Sequence, residues 1–297
     1  MHSARAGRRW TRSVPIRLAQ SNGFRYFGRV KTDSRHQRPV DYVDALAVRG
    51  RYHFTAAQLQ EALGLSGPAA RNALKRLAAR NRVASPARGF YVVIPPEYRT
   101  LGCLPAEQFI PALMEREGRP YYVGLLSAAQ YYGAAHHRPQ EFQVFLEKNR
   151  RPIACGAVRV AFIARKRLKE VPTRSFNTPR GGVKVSTPEA TAIDLAGYPG
   201  HAGGLEQVAT VVAELAEDMD AALLVQAAEM APLAWAQRLG YLLEMVGVGD
   251  ERTQPLRCFV KAHARDYALL SPGVEAQAAQ RHKHWKLVIN TDVESEL

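Results

Sequence analysis

The stretch from Phe54 to Ile94 constrains this chain more than any other, because each of its breaks falls where a particular backbone shape is needed. Phe54-Thr-Ala-Ala-Gln-Leu59 starts a helix: Thr55 caps it, Gln58 stands where it closes a capping box, and Phe54 can staple onto Leu59. Gly64 ends that helix in a left-handed cap, with Leu65 as the apolar contact after it. Ser66 caps the next helix, and Pro68 falls in its first turn, where a missing N–H costs little. Over roughly Gly67 to Arg80, the residues Ala70, Ala73, Leu74 and Leu77 recur at helical spacing as one inward stripe. Pro68, Asn72, Lys75 and Ala79 fall on the opposite face, with Arg71 and Arg76 on its flanks. Arg82-Val-Ala-Ser and Gly89-Phe-Tyr-Val-Val-Ile94 read as two strands around Pro86-Ala-Arg-Gly89, a hairpin with Arg88 at its tip, stopped by Pro95-Pro96. Asp41 to Val48, with Val43, Leu46 and Ala47 on one face, supplies an earlier helix. The order is helix, helix, helix, wing.

That order carries an expectation about chemistry. Small residues at the start of the second capped helix let it approach a groove floor. Asn can read adenine edges, while Arg reads guanine or pairs with phosphate. The expected DNA contacts are Ser66 and Gly67 through backbone N–H groups at the helix start, Pro68, Arg71, Asn72, Lys75 and Arg76 on the helix, and Arg88 in the wing. A solvated outer face would also be rich in Lys and Arg. It would not explain why the short turn, the basic face and the hairpin follow one another.

Charge favours the same partner. The 297 residues carry a formal +14, and such a field attracts polyanions. It is unevenly spread: +9 over residues 1–40, +11 over 41–199, −7 over 200–250 and +1 beyond. Residues 1–40 are Arg-rich without a sustained apolar period and are expected to be disordered, either as an arm on DNA phosphate or as a plain solvated tail. No apolar run is long enough to cross a bilayer, and no h-region follows the basic start, so a cytoplasmic protein away from membranes is expected. Cys103, Cys155 and Cys258 lie far apart in sequence and are odd in number, which fits reduced thiols better than a disulfide framework.

The length suits about two domains. The predicted architecture is α+β: a basic extension over 1–40, a winged helix-turn-helix over 41–98, and a larger mixed α/β C-terminal domain over 99–297. Within the last, Tyr121 to Gly133 reads as a helix, and Phe142–Glu147 and Val158–Ile163 as strands. Asn177 to Ser186 reads as a hairpin centred on Gly181-Gly182, and Thr187 and Pro188 open another helix. Helices follow over Leu205–Ala216, Ala221–Met230 and Pro232–Val246, and Trp285–Asn290 is a late strand that could join the earlier ones in a sheet.

Other candidate chemistry is thin. Glu189 and Asp194 sit on one predicted helix but about 140° apart, so they do not converge on a metal, and Glu189 suits the positive end of the helix dipole. His136-His137 and His282/His284 lack the further ligands of a metal site, and no phosphate-binding or nucleophile motif is present. No cofactor, metal or catalytic residue is expected. The run Arg165-Lys166-Arg167-Leu-Lys169, with Arg174 and Arg180, has two readings: a solvated edge that discourages strand pairing, or a second nucleic-acid surface. The acidic stretch Glu206 to Glu229 either solvates the outside of helices or faces a basic partner.

Three segments together resemble the AbiEi family of antitoxins and transcriptional regulators of bacterial type IV toxin–antitoxin and phage-defence loci. They are the winged segment from Phe54-Thr-Ala-Ala-Gln-Leu to Gly89-Phe-Tyr-Val-Val-Ile-Pro, then Tyr121-Tyr-Val-Gly-Leu-Leu-Ser-Ala-Ala-Gln-Tyr-Tyr-Gly133, and Ser186-Thr-Pro-Glu-Ala-Thr-Ala-Ile-Asp-Leu195. The resemblance covers about residues 41 to 290. It implies a protein that represses its own operon by binding inverted repeats in the promoter double helix. It also implies that the C-terminal domain counters a nucleotidyltransferase-like toxin without forming a stable complex with it. The competing reading is a nucleic-acid enzyme, with a nuclease-like C-terminal domain tethered by the winged helix. A third is a protein-interaction module in which the acidic helices bind a basic partner.

Overall fold

The structure is a computed structural model that describes residues 38–134, 140–276 and 280–293. The expected extension over 1–40 lies outside the described residues except for Arg38, Pro39 and Val40, and His136-His137 lie outside them too. The N-terminal part runs α1 (Pro39–Val48), β1 (His53–Thr55), α2 (Ala56–Leu63), α3 (Gly67–Ala79), β2 (Val83–Ala87) and β3 (Phe90–Val93). Both sides of the capping box form: the Gln58 N–H donates to Thr55 Oγ1 (3.2 Å) and the Thr55 N–H to Gln58 Oε1 (2.8 Å). Gly64 takes φ +61°, which lets the Leu65 N–H return to the Gln60 carbonyl at 3.0 Å. Phe54 and Leu59 are fully buried in one cluster with Leu74 and Leu77 of α3. The strands form an antiparallel sheet in the order β1-β3-β2, which completes the element order of a winged helix-turn-helix. His53-Phe54-Thr55 was too short to show strand alternation, and its pairing with β3 is a tertiary effect.

The hairpin turn is shorter than the expected Pro86–Gly89. Ala87 pairs with Phe90, so the turn is Arg88-Gly89, with Gly89 at φ +68°. Pro86 stays inside β2 at an irregularity between Ala84 and Ala87, where no ladder N–H is required of it.

The remainder holds α4 (Ala106–Glu117), β4 (Tyr121–Val123), α5 (Leu125–Ala129), β5 (Phe142–Leu146), β6 (Ile153–Cys155), β7 (Val158–Ala164), β8 (Thr173–Thr178) and β9 (Gly181–Ser186). Its strands form a mixed six-stranded sheet in the order β6-β7-β5-β4-β9-β8, with β5/β7 and β4/β9 parallel and the other pairs antiparallel. Then come α6 (Pro188–Gly197), α7 (Leu205–Leu215), α8 (Ala221–Glu229), α9 (Leu233–Met245) and α10 (Asp250–His263). The chain ends in β10 (Ala268–Leu269), β11 (Gln280–His282) and β12 (Leu287–Ile289).

Three expectations are corrected. Tyr121 to Gly133 is not one helix: β4 is an inner strand, and only Leu125–Ala129 and a 3₁₀ turn over Gln130–Tyr132 are helical. Gly124 marks the break, because a Cβ there would lie 2.4 Å from the Phe145 ring, and Leu125 follows with φ +53°. The β8–β9 turn is Pro179-Arg180, with Gly181 and Gly182 already paired in β9. The late strand β12 joins β10 and β11 in a separate small sheet rather than the large one.

β3 links the two parts through its pleat. Phe90, Val92 and Ile94 point into a cluster with Phe109, Ile110 and Leu113 of α4 and Val144, Leu146 and Val160 of the large sheet. Tyr91 and Val93 point the other way, toward the core shared by α1, α2 and α3. Burial on both faces explains the unbroken apolar run that the sequence shows there. The boundary expected between residues 98 and 99 therefore crosses a continuous apolar cluster.

Candidate nucleic-acid interface

The outer face of α3 is assembled by its caps and its stripe. Ser66 Oγ accepts the Ala69 N–H at 3.4 Å, and Ala70, Ala73, Leu74 and Leu77 are all buried, which turns the other residues outward. Ser66, Pro68, Arg71, Asn72, Lys75 and Arg76 are exposed, and Gly67 is half-buried. Pro68 has no N–H and that of Ala69 is held by Ser66, leaving the amides of Ser66 and Gly67 at the helix start. A Cβ on Gly67 would sit 3.5 Å from Arg71 Nη1, so the Arg71 guanidinium lies back over that start. Among the described residues, Arg71, Lys75, Arg76 and Arg80 enter no ion pair. Arg82, just after α3, is by contrast paired with Asp44.

The wing is braced from α4. Arg116 donates to the Arg88 carbonyl at 3.4 and 3.5 Å and lies 5.8 Å from the Phe90 ring, while the Arg88 side chain is exposed at the tip. His53 stacks on the Phe90 ring at 5.8 Å, and burial followed by the Arg51 charge holds its pKa below the usual histidine value. Nothing in the sequence singled out Arg116, which acts across a fold rather than along a motif.

The run Arg165–Lys169 with Arg174 and Arg180 does not make one basic surface. Arg165 is buried: its Nε is 2.9 Å from Asp194 Oδ1, and its guanidinium is 5.2 Å from the Trp235 ring. It is core, not surface. Arg167 pairs with Glu170 (2.5 Å) and donates to the Glu229 carbonyl, and Lys169 pairs with Glu147 (3.4 Å). Arg180 is drawn into the junction, 3.5 Å from the Tyr52 ring centroid and 3.4 Å from Glu97, with its side chain only 10% exposed. Lys166 and Arg174 remain exposed without an ion pair among the described residues. Arg174 sits near the start of β8 and Arg180 in the turn beyond its end.

The buried acids of α6 serve the core. Asp194 accepts from the Tyr122 hydroxyl at 2.8 Å and faces Arg165 across the ion pair. Burial pushes its pKa up to about 6 against the opposing pull of Arg165 and Tyr122. Glu189 is 1% exposed, and its Oε1 accepts the Asp220 N–H at 3.1 Å, holding the start of α8 against α6. That is a tertiary cap, where the sequence suggested only a helix-dipole role. His282 approaches Glu244 (4.0 Å) and His284 edge-on, and burial lowers its pKa.

No helix among the described residues is long and apolar enough to cross a membrane. Residues 122–245 match the family model of the AbiEi antitoxin C-terminal domain. A search of curated proteins gives no match. Among solved structures, the chain is similar to the crystal structure of the RV2827C protein from Mycobacterium tuberculosis, with a TM-score of 0.61 and 19% identity over 83% of this chain and 89% of that one. At that identity the likeness speaks for the fold, and it extends well beyond the residues of the family match.

Proposed function

We propose that this chain, whose residues 122–245 match the family model of the AbiEi antitoxin C-terminal domain, is an antitoxin of a toxin–antitoxin system and also a DNA-binding autorepressor. The observation that carries the reading is the exposed face of α3, where Arg71, Asn72, Lys75 and Arg76 stand with no acidic partner among the described residues. α3 enters the major groove by its N-terminal half, the amides of Ser66 and Gly67 meet phosphate, and Arg88 reaches the neighbouring backbone or groove. One such unit covers a short half-site. Two copies on an inverted repeat in the promoter of its own operon supply specificity. The partner that the C-terminal domain opposes is a nucleotidyltransferase-like toxin, countered in the cytoplasm without a stable complex and without catalysis by this chain.

The test is a gel shift on DNA from immediately upstream of the gene, against scrambled competitor and over a range of salt. Specific retardation lost in an Arg71→Ala/Asn72→Ala/Lys75→Ala triple variant is the expected result. Equal binding to all sequences reduces the winged unit to a tether, and metal-dependent cleavage of the probe transfers the function to an enzyme class.

A further inference from the structure

Two of the three cysteines, remote in sequence, meet at the exit of the winged unit. Leu101-Gly102-Cys103 leads from that unit toward α4, while Cys155 ends β6 and Gly156-Ala157 is the turn into β7. The two segments run antiparallel against one another. The Ala157 N–H donates to the Leu101 carbonyl at 2.8 Å. Gly102 and Gly156, at φ +68° and +57°, come so close that a Cβ on Gly156 would lie 2.2 Å from the Leu101 oxygen and 2.7 Å from the Gly102 carbonyl carbon. The next opposed pair is Cys103 and Cys155, whose side chains lie within hydrogen-bonding reach. A disulfide needs Cα atoms about 4.4–6.8 Å apart, which calls for two backbones in direct contact such as these. The contact of Gly102 with Gly156 and the Ala157–Leu101 hydrogen bond hold the two backbones together beside this pair.

The two thiols differ. Cys103 is fully buried in the cluster that β3 shares with α4, and its hydrogen bond to Cys155 together with burial pushes its pKa up. Cys155 is only partly buried. The hydrogen bond from Cys103 lowers its pKa, as do the backbone N–H of Ser85 on β2 and the charge of Arg159, with burial opposing them. One sulfur is thus reachable, and the other is shielded behind it.

We propose that Cys103 and Cys155 form an oxidation site for hydroperoxides, closing a disulfide that clamps the exit of the winged unit to the large sheet. The Cys155 sulfur attacks a peroxide oxygen and the O–O bond breaks. The departing hydroxide takes up the thiol proton and leaves as water, and Cys155 becomes a sulfenic acid. The Cys103 sulfur then attacks the Cys155 sulfur; the S–O bond breaks, and the hydroxide leaves as a second water with the Cys103 proton. Two thiols and one hydrogen peroxide give one disulfide and two waters. Because Cys155 also touches Ser85, the bond ties the path between wing and α4 to β6 at the point where β2 already rests.

The test uses the full chain with Cys258→Ser, which removes the exposed third thiol. Hydrogen peroxide is expected to lower its intact mass by two hydrogens, to yield a Cys103–Cys155 cross-linked peptide, and to do so reversibly with dithiothreitol. The oxidised form should melt higher by roughly 5 °C or more, as expected for closing a long loop. With Cys103→Ala added, dimedone should trap a sulfenic acid at Cys155; with Cys155→Ala added, Cys103 should stay unmodified. Oxygen addition at Cys155 of the Cys258→Ser protein without a cross-link, two thiols that both remain alkylatable, or an unchanged melting temperature after cross-linking would each overturn the proposal.

Discussion

At the scale of single residues, similar charges on this chain have opposite assignments, and burial decides between them. Lys75 is exposed on α3 and Arg165 is buried against Asp194, though each sits in a stretch that the sequence shows simply as basic. If Lys75 meets phosphate, Lys75→Ala weakens binding to all DNA and lowers the salt slope by about 1. Asn72→Ala instead costs about 1–3 kcal/mol on the cognate site alone, measured by titration against cognate and scrambled duplexes. The sequence placed Asp194 on a helix away from Glu189 but did not show its burial: every residue from Pro188 to Ala196 is buried, so the acid needs a partner inside. Which arginine would reach it was not, since that contact spans the fold. Its pKa is raised to about 6, above the unfolded value, so the folded state binds this proton more readily. The stabilisation from protonation is complete at about pH 4 and is lost as the pH rises through about 6. Asp194→Asn cannot follow that change. Between pH 4 and 6, the wild type should lose melting temperature relative to the variant; parallel curves would show that the carboxyl does not titrate there.

Among the elements, helices came through better than strands. α7, α8 and α9 lie within a residue or so of their expected bounds, because each stripe and each cap is local information. β1, β4 and β10 hold two or three residues, too few for a period, and exist because a neighbour offers hydrogen bonds. α10 went unread, with Pro255 inside it and charged residues over much of its length. α9 shows what local reading omits. A Cβ on Gly240 would stand 2.1 Å from Trp285, a fully buried side chain whose indole N–H donates to Glu244 on the same helix. Gly240→Ala raises helix propensity, yet overpacking should win, with a loss of about 1–3 kcal/mol in urea denaturation. A stabilised variant would mean that the indole moves aside freely.

For the whole molecule, the basic winged face and the acidic helices of residues 200–250 separate what the chain presents to polyanions from what it presents elsewhere. The order of helices and hairpin over residues 41–94 was legible, but its union with the sheet was not, since neither half of the Phe90–Phe109–Val144 cluster reveals the other. A fragment of residues 38–98 leaves Phe90, Val92 and Ile94 without that cover. It should bind hydrophobic dyes and melt without cooperativity, whereas the full chain melts in one transition; a sharp melt of the fragment would make the winged unit independent.

A strand buried on both faces cannot swivel without baring one of them, so on the DNA-binding proposal the winged unit is a gauge and not a lure on a line. In any pair of these molecules that holds itself together, the protein fixes the interval between heads, and the duplex must match it. Inserting about 5 bp, half a turn, between the repeats should then abolish paired binding outright, as seen by the loss of the slower gel-shift species.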